Sequence, residues 1–363
     1  MQLKEIIAVL ENWAPPAYQE SYDNSGLLTG DVQMQIARAL ISLDCTEAVI
    51  DEAIRENCQL IIAHHPIIFS GLKKLTGRNY VERTIIKAIK NDIAIYAIHT
   101  NLDNIQTGVN QMMAEKLGLK NCKILSPKKN LVRKLVCYVP KNSLEKVSSA
   151  LFEAGAGHIG NYSHCAFSSE GSGSFMGNEN SNPTIGSPNR LEKVEESQFE
   201  TVFPSYLESR VIQALLKAHP YEEVAYDIYA MENSHLQVGS GMIGELSEEI
   251  SLKDFLALTK DKFQLKTLKY TDLSRNVRRI ALCGGSGSFL RFDAANAGAD
   301  VYLTSDFKYH EWFDAEGHLS YVDIGHYESE QFTKELIFNY LTKNILSLQS
   351  QISKVNTNPV NYL

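Results

Sequence analysis

Two adjacent histidines, His64-His65, follow the apolar run Leu60-Ile61-Ile62-Ala63 and stand just before Pro66. A run of that kind reads as a buried strand, and packing gives such a strand no reason to end in two imidazoles. Neutral imidazole is the commonest protein ligand for a transition metal, so the doublet reads as half of a metal site. Neighbours on a strand point to opposite faces, so both rings reach one site only if the chain bends there.

Three other clusters can supply the second half: His99-Thr100-Asn101-Leu102-Asp103, Ser305-Asp306-Phe307-Lys308-Tyr309-His310-Glu311, and Asp323-Ile324-Gly325-His326-Tyr327-Glu328-Ser329-Glu330. In the last, His326 and Glu330 are four residues apart and share one face at the start of a helix. Gly325 permits the sharp turn into that helix. Three imidazoles (His64, His65, His326) and two carboxylates (Asp103, Glu330) suit two divalent ions held close together, with one carboxylate bridging. Mixed nitrogen and oxygen ligation favours zinc first, then manganese, iron or cobalt, over magnesium or calcium. Paired ions roughly 3.5–4 Å apart clamp attacking and leaving oxygens and make hydroxide near neutral pH. His99 and His310, the titratable groups nearest in sequence to these ligands, are candidates for proton transfer. Taken singly, each has a plainer reading: Asp103 in a turn, His326 and Glu330 at a capped helix start, His310-Glu311 as a helix-surface pair. Their joint occurrence at strand ends points to metal.

Gly284-Gly285-Ser286-Gly287-Ser288 stands between a strand and a helix, where free amides can cradle phosphate. Gly285, Ser286 and Gly287 are therefore candidate substrate contacts, with a tight strand-to-helix turn as the alternative. No Gly-Lys-Ser/Thr follows, and the order is not G-x-G-x-x-G. A further motif, His219-Pro220-Tyr221-Glu222-Glu223, reads as a structural turn, with a contact to a metal or small molecule as the alternative.

The elements that must position these residues follow an α/β rhythm. Strands are expected over 37–43, 60–63 and 93–98, alternating with helices over 46–57, 80–91 and 107–117. The rhythm returns with strands over 279–283, 301–304 and 319–324 and one long helix over 327–345. Polar residues crowd the carboxyl ends of the strands, where open α/β sheets bind ligands. The middle differs: strands over 131–139, 198–203 and 223–231, helices over 143–153 and 205–218, and a Gly/Ser/Asn/Pro-rich long loop or hairpin tip over 168–189. This is the β-α-β-β-α-β logic of a ferredoxin-like α+β unit. The expected fold is thus an α/β core of two lobes, with mixed sheets flanked by helices. The lobes span 1–127 and 236–363, share one site, and are separated by an inserted ferredoxin-like domain over 128–235.

Composition bounds the rest. A length of 363 residues suits two or three domains. A formal charge of −8 with no basic stripe argues against nucleic-acid binding. The six cysteines form no C-x-x-C pair and read as reduced thiols of a cytoplasmic protein. No apolar run approaches the roughly 20 residues that cross a bilayer, and residues 1–13 read as an amphipathic helix rather than a signal peptide.

Together the clusters resemble the type 2 GTP cyclohydrolase I homologues, also called the Nif3-like proteins. The matching stretches include Tyr22-Asp23-Asn24-Ser25-Gly26-Leu27, Ala63-His64-His65-Pro66, His99 to Asp103, Gly284 to Gly287, Ser305 to Glu311 and Gly325 to Glu330. The middle segment resembles the insert of the longer bacterial members, which looks like PII or CutA-type domains. The resemblance implies a two-lobed core, a dinuclear metal site on His64, His65, Asp103, His326 and Glu330, and a toroidal homohexamer. It also implies a hydrolase in which metal-bound hydroxide attacks C8 of guanine in a nucleotide-like substrate. A phosphoesterase, or a metal-binding or ligand-sensing regulatory assembly with little turnover, fits the same residues. Ser305, where the family commonly has Gly, and Trp312 depart from the family pattern without touching an expected ligand.

Overall fold

Leu60–Ala63 is a strand buried along its whole length, paired in parallel with Arg38–Ser42 on one side and Ala94–Ala97 on the other. All three are short apolar segments that helices cover, as parallel strands require. They sit in a five-stranded sheet of order Gly26–Thr29, Ala94–Ala97, Leu60–Ala63, Arg38–Ser42, Gln349–Ile352. This is a computed structural model, and it describes all 363 residues. The helices Glu47–Arg55 and Tyr80–Lys90 bury Val49, Ile50, Ile85 and Ala88 against Leu40, Ile61 and Ile95 of this sheet. Each helix starts on a side-chain cap: the Val49 amide donates to Thr46 Oγ1 (3.4 Å) and the Glu82 amide to Asn79 Oδ1 (2.8 Å). Because the inner strands are parallel, their carboxyl ends share one edge, which gathers Asp44, His64, His65 and His99.

A second, six-stranded sheet has the order Lys269–Tyr270, Ser320–Asp323, Val301–Ser305, Val277–Ser286, Gly239–Ile250, Lys120–Pro127. Val277–Ser286, Val301–Ser305 and Ser320–Asp323 are parallel, so the residues that follow them also meet at one edge. Both sheets belong to one compact unit, Met1–Ser126 with Gln237–Leu363. Each borrows a strand from the far end of the chain: Gln349–Ile352 completes the first, and Lys120–Pro127 edges the second. The expected lobes, 1–127 and 236–363, are interlaced in this way.

Pro127–Leu236 forms the other compact unit. Its sheet has the order Ala166–Phe175, Glu192–Pro204, Val132–Pro140, Tyr226–Met231, all antiparallel. The helices Leu144–Glu153 and Glu208–Ala218 cover one face through Leu135, Cys137, Phe199, Phe203, Val211 and Leu215.

Two expectations about elements are corrected. Residues 168–175 of the expected loop or hairpin tip over 168–189 are strand, because Ala166–Phe175 pairs residue for residue with Thr201 back to Glu192, while 176–189 belong to the connection between these two strands. Gly and Ser have low intrinsic preference for strand, but the long neighbouring strand supplies a complete ladder. The expected helix over 327–345 is two helices, His326–Glu330 and Thr333–Asn344. Phe332 packs against Phe263, ring centroids 6.2 Å apart, where the first helix ends. The apolar period runs on across the break, so periodicity could not reveal it. All six cysteines are free, and no helix is long and apolar enough to cross a membrane.

Candidate metal centre

The chain bends at His64 and His65, just past the end of the strand at Ala63, and the His64 amide donates to Ser42 O (3.2 Å) and the His65 amide to Leu43 O (2.9 Å). The bend lets both rings face one site, with centroids 5.0 Å apart and planes tilted by 44°. His64 is fully buried. Its Nδ1 donates to Ile98 O at 2.8 Å, which leaves the Nε2 lone pair facing inward. That Nε2 is 3.6 Å from Asp103 Oδ1 and 3.8 Å from Glu330 Oε1. Neither His64 Nε2 nor Asp103 Oδ1 has a hydrogen-bond partner, although both are buried. Buried polar atoms of this kind are costly unless something else engages them.

The other imidazoles repeat the pattern. His65 binds Asp44 Oδ1 through Nδ1 (2.7 Å) and Glu330 Oε2 through Nε2 (2.9 Å). His326 binds Asp306 Oδ2 through Nδ1 (2.6 Å), and its Nε2 is 3.1 Å from Glu330 Oε2. His99 binds Asp23 Oδ1 through Nδ1 (2.8 Å), and its ring lies edge-on to both His64 and His65 at 5.3 Å. Four imidazoles are thus anchored by Nδ1, three on carboxylates and one on a carbonyl, and all turn Nε2 to one centre. Oriented imidazoles of this sort are the usual support of a metal ligand. Three groups have ligand atoms within 4.8 Å of one another: His64, His65 and His99; His65, His326 and Glu330; His64, Asp103 and Glu330. The donor set therefore fits divalent metal.

Local structure accounts for the convergence. Gly325 has φ +90°, which lets the chain turn from Ser320–Asp323 into the helix that carries His326 and Glu330. Glu330 is 2% exposed at the middle of the cluster. Burial alone would raise its carboxyl, but the imidazoles of His326, His64 and His65 hold it well below the usual range. Burial likewise lowers His65, yet its bonds to Asp44 and Glu330 prevail and raise it to about 10. His326 rises to about 11 in the same way through Asp306 and Glu330. Asp103 is raised by burial and by Glu330, against the pull of His64. Asp23, although buried, is held far below the carboxylate range by His99 and Thr100.

All five expected ligands, with His99, therefore come together. His310 does not. It lies exposed on the 3-10 helix Tyr309–Ala315, beside Tyr309 and Phe313, and does not line the cavity over the cluster. The expectation that it transfers protons there is corrected: the turn after Val301–Ser305 brings Asp306, not His310, to the site. The glycine-rich segment is corrected as well. The amides of Gly284, Gly285 and Gly287 already donate to Asn110 Oδ1, Ser329 Oγ and Thr304 Oγ1, so they are not free to cradle phosphate. Gly285 (φ +61°) instead makes room, since a Cβ there would sit 2.3 Å from Glu330 Oε1. Ser286 does line the cavity. Of the anchoring carboxylates, Asp44 and Asp306 carry the signal used for the ligands, a carboxylate at a strand end, and Asp23 lies in the stretch Tyr22 to Leu27 that carries the family resemblance.

The cavity over the cluster has a volume of about 710 Å³. Tyr22, Phe69, Tyr80 and Phe289 line it, and its lining contains no lysine or arginine. Cys45 and Cys283 also line it, but burial pushes both thiols up, Cys45 to about 12, so neither is a ready thiolate.

Comparison with known proteins adds the relationship. The chain is 43% identical over 367 residues to a "GTP cyclohydrolase 1 type 2 homolog" of Bacillus subtilis, covering 99% of this chain and 98% of that protein. It is 36% identical over 369 residues to the protein of the same name from Staphylococcus aureus, each covered in full. Among solved structures, a Bacillus cereus protein related to NIF3 superposes with a TM-score of 0.87 at 40% identity, over 100% of this chain and 99% of that one. A Staphylococcus aureus protein superposes with a TM-score of 0.80 at 32% identity over the same shares. A model of the Duf34/NIF3 (NGG1p interacting factor 3) family matches residues 1–359, and with relatives matched from end to end the chain belongs to that family.

Proposed function

We propose that the protein is a dinuclear metal-dependent hydrolase acting on a nucleotide-like substrate. One observation carries the reading: the unpartnered, buried His64 Nε2 and Asp103 Oδ1 face each other at 3.6 Å inside a cluster whose imidazoles are all anchored through Nδ1. His64, Asp103 and Glu330 would hold one ion, and His65, His326 and Glu330 the other, with Glu330 shared. Divalent ions, zinc first, supply Lewis acidity and lower the pKa of water when bound. Asp44 and Asp306 fix the rings of His65 and His326, and Asp23 fixes that of His99. His99, which neither three-residue ligand set needs, is placed to take or give a proton at Nε2. The aromatic side chains of the cavity offer faces for a heteroaromatic ring.

The name shared by the relatives makes GTP the first substrate to test. A second reading, a metal-binding or ligand-sensing assembly with little turnover, is favoured by one fact: no lysine or arginine lines the cavity to meet a triphosphate. We further read the chain as a cytoplasmic toroidal homohexamer, and Pro127–Leu236 as a ferredoxin-like insert. The free cysteines are in keeping with the first, and strand order supports the second. The deciding experiment incubates zinc-loaded protein with GTP, other nucleotides and phosphoesters, following formate and inorganic phosphate. The hydrolase reading expects release from at least one substrate, lost in Glu330→Gln. Metal bound at full stoichiometry with no release from any substrate overturns it in favour of the second reading.

A further inference from the structure

A second cavity, of about 590 Å³, lies wholly within Pro127–Leu236. It forms on the sheet face away from the two helices, where Tyr138 and Glu196 project. The segment after Phe175 covers it and is tied down: the Asn182 amide donates to Glu222 Oε1 (2.8 Å), and Thr184 Oγ1 donates to Pro220 O (2.7 Å). The motif His219-Pro220-Tyr221-Glu222-Glu223 supplies one wall. His219 itself is spent on the turn, since its Nε2 donates to Tyr138 O (3.0 Å) and its Nδ1 accepts from the Tyr221 amide (3.1 Å). Tyr221, Glu222 and Glu223 are thereby presented to the cavity.

Glu196 is 8% exposed. Tyr221 Oη donates to its Oε1 at 2.9 Å. Oε2 lies over Gly173, where a Cβ would come within 1.9 Å. A glycine in the middle of a strand weakens it unless something approaches closely, and here the approaching group is this carboxylate. A nearly buried carboxylate met by a neutral hydroxyl attracts a cationic donor. The lining contains no lysine, arginine or histidine to act as one. Beside the carboxylate stand the rings of Phe175 and Tyr221, with centroids 5.9 Å apart and planes at 58°, and the ring of Tyr138. Aromatic faces next to a carboxylate attract an organic cation. A bare metal ion fits less well, because the imidazole and carboxylate atoms that converge tightly enough to hold one all lie in the other unit.

We propose that this cavity binds an organic cation, an ammonium or guanidinium group on a small apolar body, with Glu196 as its counter-charge and Phe175, Tyr221 and Tyr138 as its aromatic wall. Its volume suits a ligand of small-molecule size. The test is calorimetric titration of the full-length protein with agmatine, spermidine and choline as cationic probes, and with glutamate and inorganic phosphate as anionic ones. At least one cation is expected to saturate, and neither anion. Glu196→Gln keeps the acceptor for Tyr221 and removes only the charge, so it should weaken the cation about tenfold or more with an unchanged melting temperature. Phe175→Ala, which removes one ring, should weaken the same cation while leaving the fold intact. No binding of any cation, equal binding of an anion, or wild-type affinity in both variants would overturn the proposal.

Discussion

The centre is built less from ligands than from what holds them. Each imidazole commits Nδ1 to an acceptor, Ile98 O for His64 and Asp44, Asp306 and Asp23 for His65, His326 and His99, and so presents Nε2 without freedom to rotate. The candidate ligands were legible because histidines and carboxylates at the ends of buried strands contribute little to packing. The anchors were less so: Asp44 and Asp306 stand just past strands, where an aspartate usually caps a turn, and Asp23 precedes one. Asp44 provides the prediction at this scale. Asp44→Ala removes the acceptor that orients His65 while leaving every proposed ligand in place. Metal affinity should fall about 10–100-fold, as it does when such supports are lost. Competition against a chromophoric chelator measures it, and unchanged affinity would mean that Asp44 is incidental.

Among the elements, parallel pairing does most to assemble the site. It brings the ends of Arg38–Ser42, Leu60–Ala63 and Ala94–Ala97 to one edge of the first sheet, and the ends of Val301–Ser305 and Ser320–Asp323 to one edge of the second. The C-terminal segment then reaches back to the same place. Gln349–Ile352 pairs with Arg38–Ser42, Ser353 donates to Glu52, Thr357 to Asp44, and Asn358 Nδ2 to Glu328 Oε1 at 3.0 Å. Thr357 and Pro359 line the cavity. Ending the chain after Val355 should therefore keep the sheet and the circular dichroism spectrum yet weaken metal binding several-fold. The lost hydrogen bonds to Asp44 and Glu328 should also cost about 1 kcal/mol each in stability. Full metal affinity in the truncated protein, by the same chelator competition, would show that the tail takes no part in the centre. Nothing in the composition of residues 353–363 marks this role; only the parallel pairing of the last strand brings the tail there.

At the scale of the whole molecule, the chain makes two units with separate cores, one from both ends and one from its middle. The middle unit begins and ends at one point, since the His235 amide donates to Lys128 O at 2.7 Å. Its removal should leave ends that a short linker closes at little entropic cost. A protein with residues 128–235 replaced by a few glycines and serines should be soluble, cooperative in melting, and able to bind metal at the stoichiometry of the full chain. An insoluble product, or a folded one without metal, would show that the core depends on its insert. The formal charge of −8 and the absence of lysine and arginine from the lining of both cavities fit ligands that do not rely on side-chain cations for capture.

Local pattern was enough to place the principal strands and helices, because apolar runs and helical periodicity state which residues must be buried. It also named the candidate ligands His64, His65, Asp103, His326 and Glu330, because those residue types at strand ends have little structural use. Tertiary structure alone decided that Glu330 sits between His65 and His326, with Oε2 2.9 and 3.1 Å from their Nε2 atoms, and that His310 stays at the surface. It alone spent the glycine amides on neighbouring side chains and turned a Gly/Ser-rich stretch into an edge strand. The physical reason is shared by most of these. Apart from His326, which the four-residue spacing already placed beside Glu330, the partners lie 17 to 265 residues away, at positions that no local preference encodes and only the packed sheets supply.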